Sequence, residues 1–216
     1  MSERRVIVFD LDGTLSDPRE GVVKSFNYAL ERLGRPSAPA SALTKYIGPP
    51  LREAFSELLE TEDETLVAEG IVLFRRRYRA AGFRETRLYA GIPEILERLK
   101  RQGHRLYVAT VKRPDTALNV VKHLGIAQVF AGIFGCDLTT DKAGLLRRVR
   151  GLEEEKGHFY MVGDRGSDIA AGQITGMYTV GVTWGFGVAG ELEEADAVVQ
   201  TPAELLCVLE NPGFES

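Results

Sequence analysis

Cysteine is nearly absent: Cys136 and Cys207 are the 2 in 216 residues. Two thiols make no disulfide framework, and without a CxxC pair they do not hold zinc. Both are expected to serve as small buried hydrophobes. Histidine is almost as scarce. His104, His123 and His158 fall at a strand start or on helix surfaces, none at ligand spacing from another, and no role is assigned to them. No apolar run reaches 18 residues, which excludes a helical membrane span. The start of the chain offers only Val6–Phe9 as an apolar run, against the roughly 7–15 residues of a secretory signal, so a cytoplasmic protein is expected. Excess basic charge is also missing: 27 Lys+Arg against 31 Asp+Glu give −4, which argues against nucleic acid as the main partner. An apolar share of 44% with 27% charged residues is ordinary for a globular chain and excludes wholesale disorder. Repeats and low-complexity segments are absent as well, and the length suits one to two domains.

What is present is an alternation. Val6–Phe9 reads as a strand buried on both faces. It runs into Asp10-Leu11-Asp12-Gly13-Thr14. Asp17 is then placed to cap a helix, with Pro18 at its first position and Gly34 past its end. Residues 35–50, broken by three prolines before Pro50, are expected to be mostly loop; Leu51–Leu59 and Thr65–Ala81 are helical in pattern. No strand is expected between Ser16 and Arg87. From Leu88 onward helices and strands alternate: Ile92–Gln102, Arg105–Ala109, Pro114–Leu124, a short strand near Ile133, Lys142–Val149, His158–Val162, Asp168–Thr175 and Tyr178–Val182. That order predicts βαβ units and a parallel sheet. The tail, 211–216, is expected to fray.

In an open α/β sheet the ligand site lies beyond the carboxyl ends of the strands. Asp10 and Asp12 follow the first strand, Thr110 the second, Gly163-Asp164 and Asp168 a later one, and Lys142 opens the helix after the short strand. Four carboxylates, a hydroxyl and a lysine should therefore converge. Close carboxylates repel unless a cation lies between them. An oxygen-rich site of this kind suits Mg²⁺ with phosphate oxygens in its shell. The lysine, the hydroxyl and the backbone N–H groups of the Asp12-Gly13 turn supply donors to a phosphate. One carboxylate can attack phosphorus, and a second, held neutral, can protonate the leaving alkoxide. A lone DxD or GD is usually a solvated turn. The joint pattern, in order and each part after a strand, is not.

These motifs, Asp10-Leu11-Asp12-Gly13-Thr14-Leu15, Thr110, Lys142 and Gly163-Asp164-Arg165-Gly166-Ser167-Asp168, resemble those of the haloacid dehalogenase-type hydrolase superfamily. The resemblance covers essentially the whole chain. It implies an α/β fold, a Rossmann-like parallel-sheet core (1–15 and 89–216) with an inserted helical cap domain (16–88). It implies Asp10 as nucleophile, Asp12 as general acid and base, and Thr110 and Lys142 as phosphate holders. Mg²⁺ would be held by Asp10, the Asp12 backbone carbonyl and Asp164, with Asp168 close by, either as a further ligand or behind the ligands. The second aspartate of DxD resembles phosphatases and phosphomutases, not dehalogenating members. Ile47–Leu51, Leu88-Tyr89 and the core motifs are most similar to the phosphoglycolate phosphatase and 5′-nucleotidase branch. Val111 departs from it, standing where the branch usually has serine before Lys112.

The expected activity is thus an Mg²⁺-dependent phosphatase of small phosphomonoesters, phosphoglycolate phosphatase-like. The alternatives are a 5′-nucleotidase or a sugar phosphomutase. The expected partner is a small phosphorylated metabolite, with neither nucleic acid nor membrane, and the chain is expected as monomer or homodimer. Substrate contacts are assigned to Gly13, Thr110, Lys142, Lys112, Arg52 and Lys45; Arg113 and the run Arg75–Arg77 with Arg79 are weaker candidates. Gly185-Phe186-Gly187-Val188-Ala189-Gly190 matches GxGxxG, but only 26 residues follow it, too few for a dinucleotide half-domain. It is read as a glycine-rich loop at the site rim. A receiver-type signalling module also groups acids, Thr and Lys, but lacks a helical block and carries its acceptor on a middle strand.

Overall fold

Five consecutive buried residues, Arg5–Phe9, form β1, the strand from which the architecture is built. The computed structural model describes residues 4–210 except 138 and 154–157, so the fraying expected at 211–216 lies outside the described residues. After β1 comes a two-residue strand, β2 (Ser16–Asp17), then α1 (Arg19–Arg32), α2 (Ala40–Leu43), α3 (Leu51–Leu59) and α4 (Glu64–Ala80). The chain returns through β3 (Arg87–Leu88), which pairs with β2. It continues with α5 (Ile92–Arg101), β4 (Arg105–Thr110), α6 (Pro114–His123), β5 (Gly132–Gly135) and α7 (Lys142–Leu152). The last elements are β6 (His158–Gly163), α8 (Gly166–Ile174), β7 (Tyr178–Val182), β8 (Ala197–Val199) and α9 (Pro202–Glu210).

The chain divides into two compact units, Asp17–Arg87 and the remainder. The larger unit is a parallel sheet of order β5-β4-β1-β6-β7-β8 among the described residues. Because β1 lies at its centre, both faces of the strand are covered. Val6 and Val8 join a core with Tyr107, Ala109, Leu146, Val149, Phe159 and Met161, while Ile7 and Phe9 point to the opposite face and are fully buried there. Strand β8 and helix α9 extend the unit beyond what the periodicity predicts. Helix α9 is tied to β1 by the buried Arg5 guanidinium, which donates to the carbonyls of Leu209 and Glu210.

The helical unit closes around aromatic rings. Phe26 lies 4.7 Å from Phe74, 5.3 Å from Phe55 and 5.7 Å from Tyr46, centroid to centroid. Gly70, in the middle of α4, is there because a Cβ would come within 2.7 Å of the Phe55 ring.

Residues 35–50 are mostly loop, as expected, with α2 and a 3-10 turn, Thr44–Tyr46, folding there to bury Leu43 and Tyr46. Other local expectations are corrected. Asp17 is a β2 residue and Pro18 the N-cap; Asp17 still accepts the Arg19 N–H, at 2.8 Å. Helix α8 starts at Gly166, two residues before the expected Asp168, which puts Asp168 in its first turn. The cysteines are not buried hydrophobes. Cys136 is half-buried at the end of β5, and Cys207 lies on the exposed side of α9. His104 stands just before β4, as expected, and is buried there, its Nδ1 accepting the Arg5 N–H at 3.2 Å. No described helix is long and apolar enough to cross a membrane.

Candidate active site

Register decides where the chemistry sits. Phe9 pairs with Val108 on one side and Val162 on the other. The chain therefore leaves β1 at Asp10 beside the ends of both neighbouring strands, and the Asp10 N–H still donates to Val162 at 2.9 Å. Thr110 ends β4 with only 1% exposure, and its hydroxyl accepts the Lys112 N–H at 3.3 Å. Asp164 follows β6.

Two helix starts supply the rest. Asp141 caps α7 by accepting from Gly144, which fixes Lys142 as the first helical residue. The buried Lys142 ammonium donates to both Asp10 and Asp168. Asp168 stands in the first turn of α8, where an acid complements the helix dipole, and it accepts the Arg165 N–H at 3.1 Å. Gly163 permits this approach, since a Cβ there would lie 2.3 Å from the Asp168 carboxylate. Gly13, at φ +94, likewise has no room for a side chain: its Cβ would meet Asp164 Oδ2 at 2.1 Å. Thr14 donates to Asp164 Oδ1 at 3.1 Å.

Asp10, Asp164 and Asp168 are buried, with one carboxylate oxygen of each within 4.8 Å of the others. Two of the three buried acids pair with Lys142, and the donors are all hard oxygens. That set fits a small divalent cation. The electrostatics agree. Burial, reinforced by the charge of Asp10, pushes Asp164 up to about 7. Burial pushes Asp168 up to about 6 against the pull of Lys142. Burial also works against the Lys142 ammonium, but Asp10 and Asp168 more than offset it and hold its pKa above the usual lysine value.

A pH dependence follows. Both acids bind protons more tightly folded than in the unfolded chain, where a carboxyl titrates near 4. The stability they contribute in the metal-free protein is therefore fully present below about pH 4 and is lost as pH rises through 6 to 7. A cation bound among these acids would replace those protons. The rise in Tm on adding 5 to 10 mM Mg²⁺, roughly saturating for a weak site, is expected to be larger at pH 8 than at pH 5.5. Thermal unfolding at the two pH values checks this, and an equal rise at both would contradict it.

Asp12 lies beside this cluster. One carboxylate oxygen pairs with Lys112, and the other is buried without a hydrogen-bond partner. Burial raises its pKa despite Lys112. Lys112, read from the sequence as a substrate contact, thus pairs here with the second aspartate of the DxD motif. Lys45 and Arg52 lie in the helical unit, exposed, and pair with Glu57 and Glu64 of that unit. Arg77 pairs with Glu85, while Arg75, Arg76 and Arg79 are exposed on α4, and Arg113 pairs with Asp115. The glycine-rich loop at 185–190, read from the sequence as part of the site rim, does reach Asp164, but its bond to that carboxylate, and that of Thr14, were not legible in the motifs.

A six-stranded parallel core with an acid pair leaving its central strand, and with a lysine and two more acids at neighbouring strand and helix ends, is an α/β enzyme arranged for phosphate chemistry. Residues 7–182 match the haloacid dehalogenase-like hydrolase family, and the chain belongs to it. It is 40% identical over 192 residues, 86% of each chain, to a 5′-nucleotidase of Pseudomonas aeruginosa. It is 30% identical to a phosphoglycolate phosphatase of Aquifex aeolicus, covering 96% of this chain and 97% of that one. Among solved structures, a haloacid dehalogenase-like hydrolase from Streptococcus pneumoniae superposes with a TM-score of 0.87 at 30% identity, covering 97% and 100% of the two chains. The protein tyrosine kinase A of Mycobacterium tuberculosis superposes at 0.84 and 32%, covering 98% and 100%. The chain is a phosphatase of this family, a phosphoric monoester hydrolase.

Proposed function

We propose that the protein is an Mg²⁺-dependent phosphatase of small phosphomonoesters that works through an aspartyl-phosphate intermediate on Asp10, in the cytoplasm. The observation that carries the reading is the buried Asp10–Lys142–Asp168 chain with Asp164 alongside, at the end of the central strand. Asp10, Asp164, the Asp12 carbonyl and Asp168 would hold the ion, which supplies positive charge to the phosphate oxygens. Residues 16–88 would act as the cap.

In the first step an Asp10 carboxylate oxygen bonds to phosphorus as the ester P–O bond breaks. Asp12, whose carboxyl burial keeps protonated longer than usual, gives its proton to the leaving alkoxide. In the second step the Asp12 carboxylate takes a proton from water, whose oxygen bonds to phosphorus as the Asp10–P bond breaks. Phosphate leaves and Asp12 is protonated again. Lys142 holds Asp10 in line, and Thr110 and the Gly13 backbone are the proposed donors to the phosphate.

The 40%-identical relative named as a 5′-nucleotidase favours a nucleoside 5′-monophosphate as substrate; the phosphoglycolate phosphatase relative favours 2-phosphoglycolate. Phosphate release from both, with Mg²⁺, decides between them. Stoichiometric phosphate is expected from one, whereas a phosphomutase would release hardly any. EDTA is expected to stop release and excess Mg²⁺ to restore it; metal-independent turnover would remove the role given to Asp164.

A further inference from the structure

The glycine motif at 185–190 is not needed by the reaction as described, yet it is built around an acid of the site. Its Phe186 N–H donates to Asp164 Oδ2 at 2.8 Å. Gly185 lies so close that a Cβ would sit 2.3 Å from that oxygen, and a Cβ on Gly187 would sit 2.0 Å from the Asp164 backbone carbonyl. The loop is braced on its far side. The Arg165 guanidinium donates to the Phe186 carbonyl at 2.9 Å and pairs with Glu191 at 3.0 Å. Glu191 in turn accepts from Gly166 N–H at 2.9 Å and Val188 N–H at 3.3 Å. A second tie runs to the nucleophile loop: Trp184 Nε1 donates to the Thr14 carbonyl at 3.0 Å, and the Thr14 hydroxyl is the donor to the other Asp164 oxygen. Each oxygen of Asp164 therefore has its own protein donor, and both donors are positioned by one segment.

We propose that Trp184–Glu191 is a positioning clamp that sets the Asp164 carboxylate for the cation, with Arg165 and Glu191 as its positioning residues. Two fixed donors choose one rotamer, in which a carboxylate oxygen of Asp164 stands within 4.8 Å of oxygens of Asp10 and Asp168. A carboxylate so held binds an ion without first losing side-chain freedom, and partners of this kind are typically worth about 10- to 100-fold in metal affinity. The proposal rests on the metal reading above and adds residues to it that touch neither ion nor substrate.

The test is Mg²⁺ binding by calorimetry to wild type, Asp164→Asn, Glu191→Ala, Glu191→Gln and Gly187→Ala, with Tm recorded for each. Glu191→Ala is expected to weaken Mg²⁺ roughly tenfold. It should raise by the same factor the Mg²⁺ needed for half-maximal phosphate release, with the rate at saturating Mg²⁺ within about twofold of wild type. Glu191→Gln keeps an acceptor for the two N–H groups and is expected to recover part of the affinity. Gly187→Ala is expected to lose more, and if it fails to fold the Glu191 pair still decides. A Glu191→Ala protein with lowered Tm and wild-type Mg²⁺ affinity overturns the clamp and leaves the metal site standing. No Mg²⁺ binding by wild type overturns both.

Discussion

Asp10→Asn is expected to cut phosphate release by at least about 10³-fold, the scale on which loss of a covalent nucleophile is felt. The amide is the same size as the carboxylate but carries no charge and makes no productive bond to phosphorus. The fold should survive. Asp10 is one of three clustered buried acids, two of which pair with Lys142, and its charge is part of what holds Asp164 near 7. Removing that charge relieves repulsion, while Lys142 keeps Asp168 as a partner. The metal-free Tm at pH 8 is therefore expected to equal or exceed that of wild type. Phosphate release and thermal unfolding on one preparation separate the two effects. Activity near wild type would sink the nucleophile assignment.

Lys142→Met acts in the opposite sense on stability. The lysine is 7% exposed and pairs with two acids that are no more exposed than 8%. Removing one partner of a buried ion pair typically costs about 3–5 kcal/mol, which in a chain of this size lowers Tm by roughly 10 °C. The loss depends on pH. Without the ammonium, Asp168 loses the charge that pulled its pKa down, so it takes up protons at still higher pH. At pH 5.5 protons replace the lysine and the loss is small; at pH 8 they do not, and it is large. Mg²⁺ should restore part of the stability at pH 8. Turnover is expected to fall by at least about 100-fold, since Asp10 and the phosphate both lose their cation. An unchanged Tm at pH 8 would show that Lys142 does not neutralise the cluster.

The sheet was legible because a parallel sheet writes its strands as short apolar runs followed by polar loops. Tyr178–Val182 has the bounds expected of it, and β1, β4 and β6 differ by a residue at their ends. Two kinds of feature stayed hidden. Short pieces, such as the turn at Thr44–Tyr46 or β8, are fixed by tertiary burial and carry too few residues to show a period. Charge partners are invisible too. A sequence reveals that Lys112, Lys45 and Arg52 are cations, but pairing with Asp12, Glu57 and Glu64 depends on three-dimensional neighbours. The core acids were legible by contrast, because strand ends in this fold share one edge.

The central position of β1 also sets the order of events as the protein is made. Both neighbours of this strand come from far along the chain: Val6 pairs with Arg105, and Arg5 with His158. The helical segment can collapse on local contacts while synthesis proceeds, whereas the first strand waits unpaired on both edges for partners about 100 and 150 residues later. Such long-range pairing is slow and leaves exposed strand edges on offer to other chains. Asp10, at the end of that strand, is thus translated well before Lys142, Asp164 and Asp168 and meets them late in folding. Truncation before β6 should yield a chain that aggregates, not a weakened enzyme.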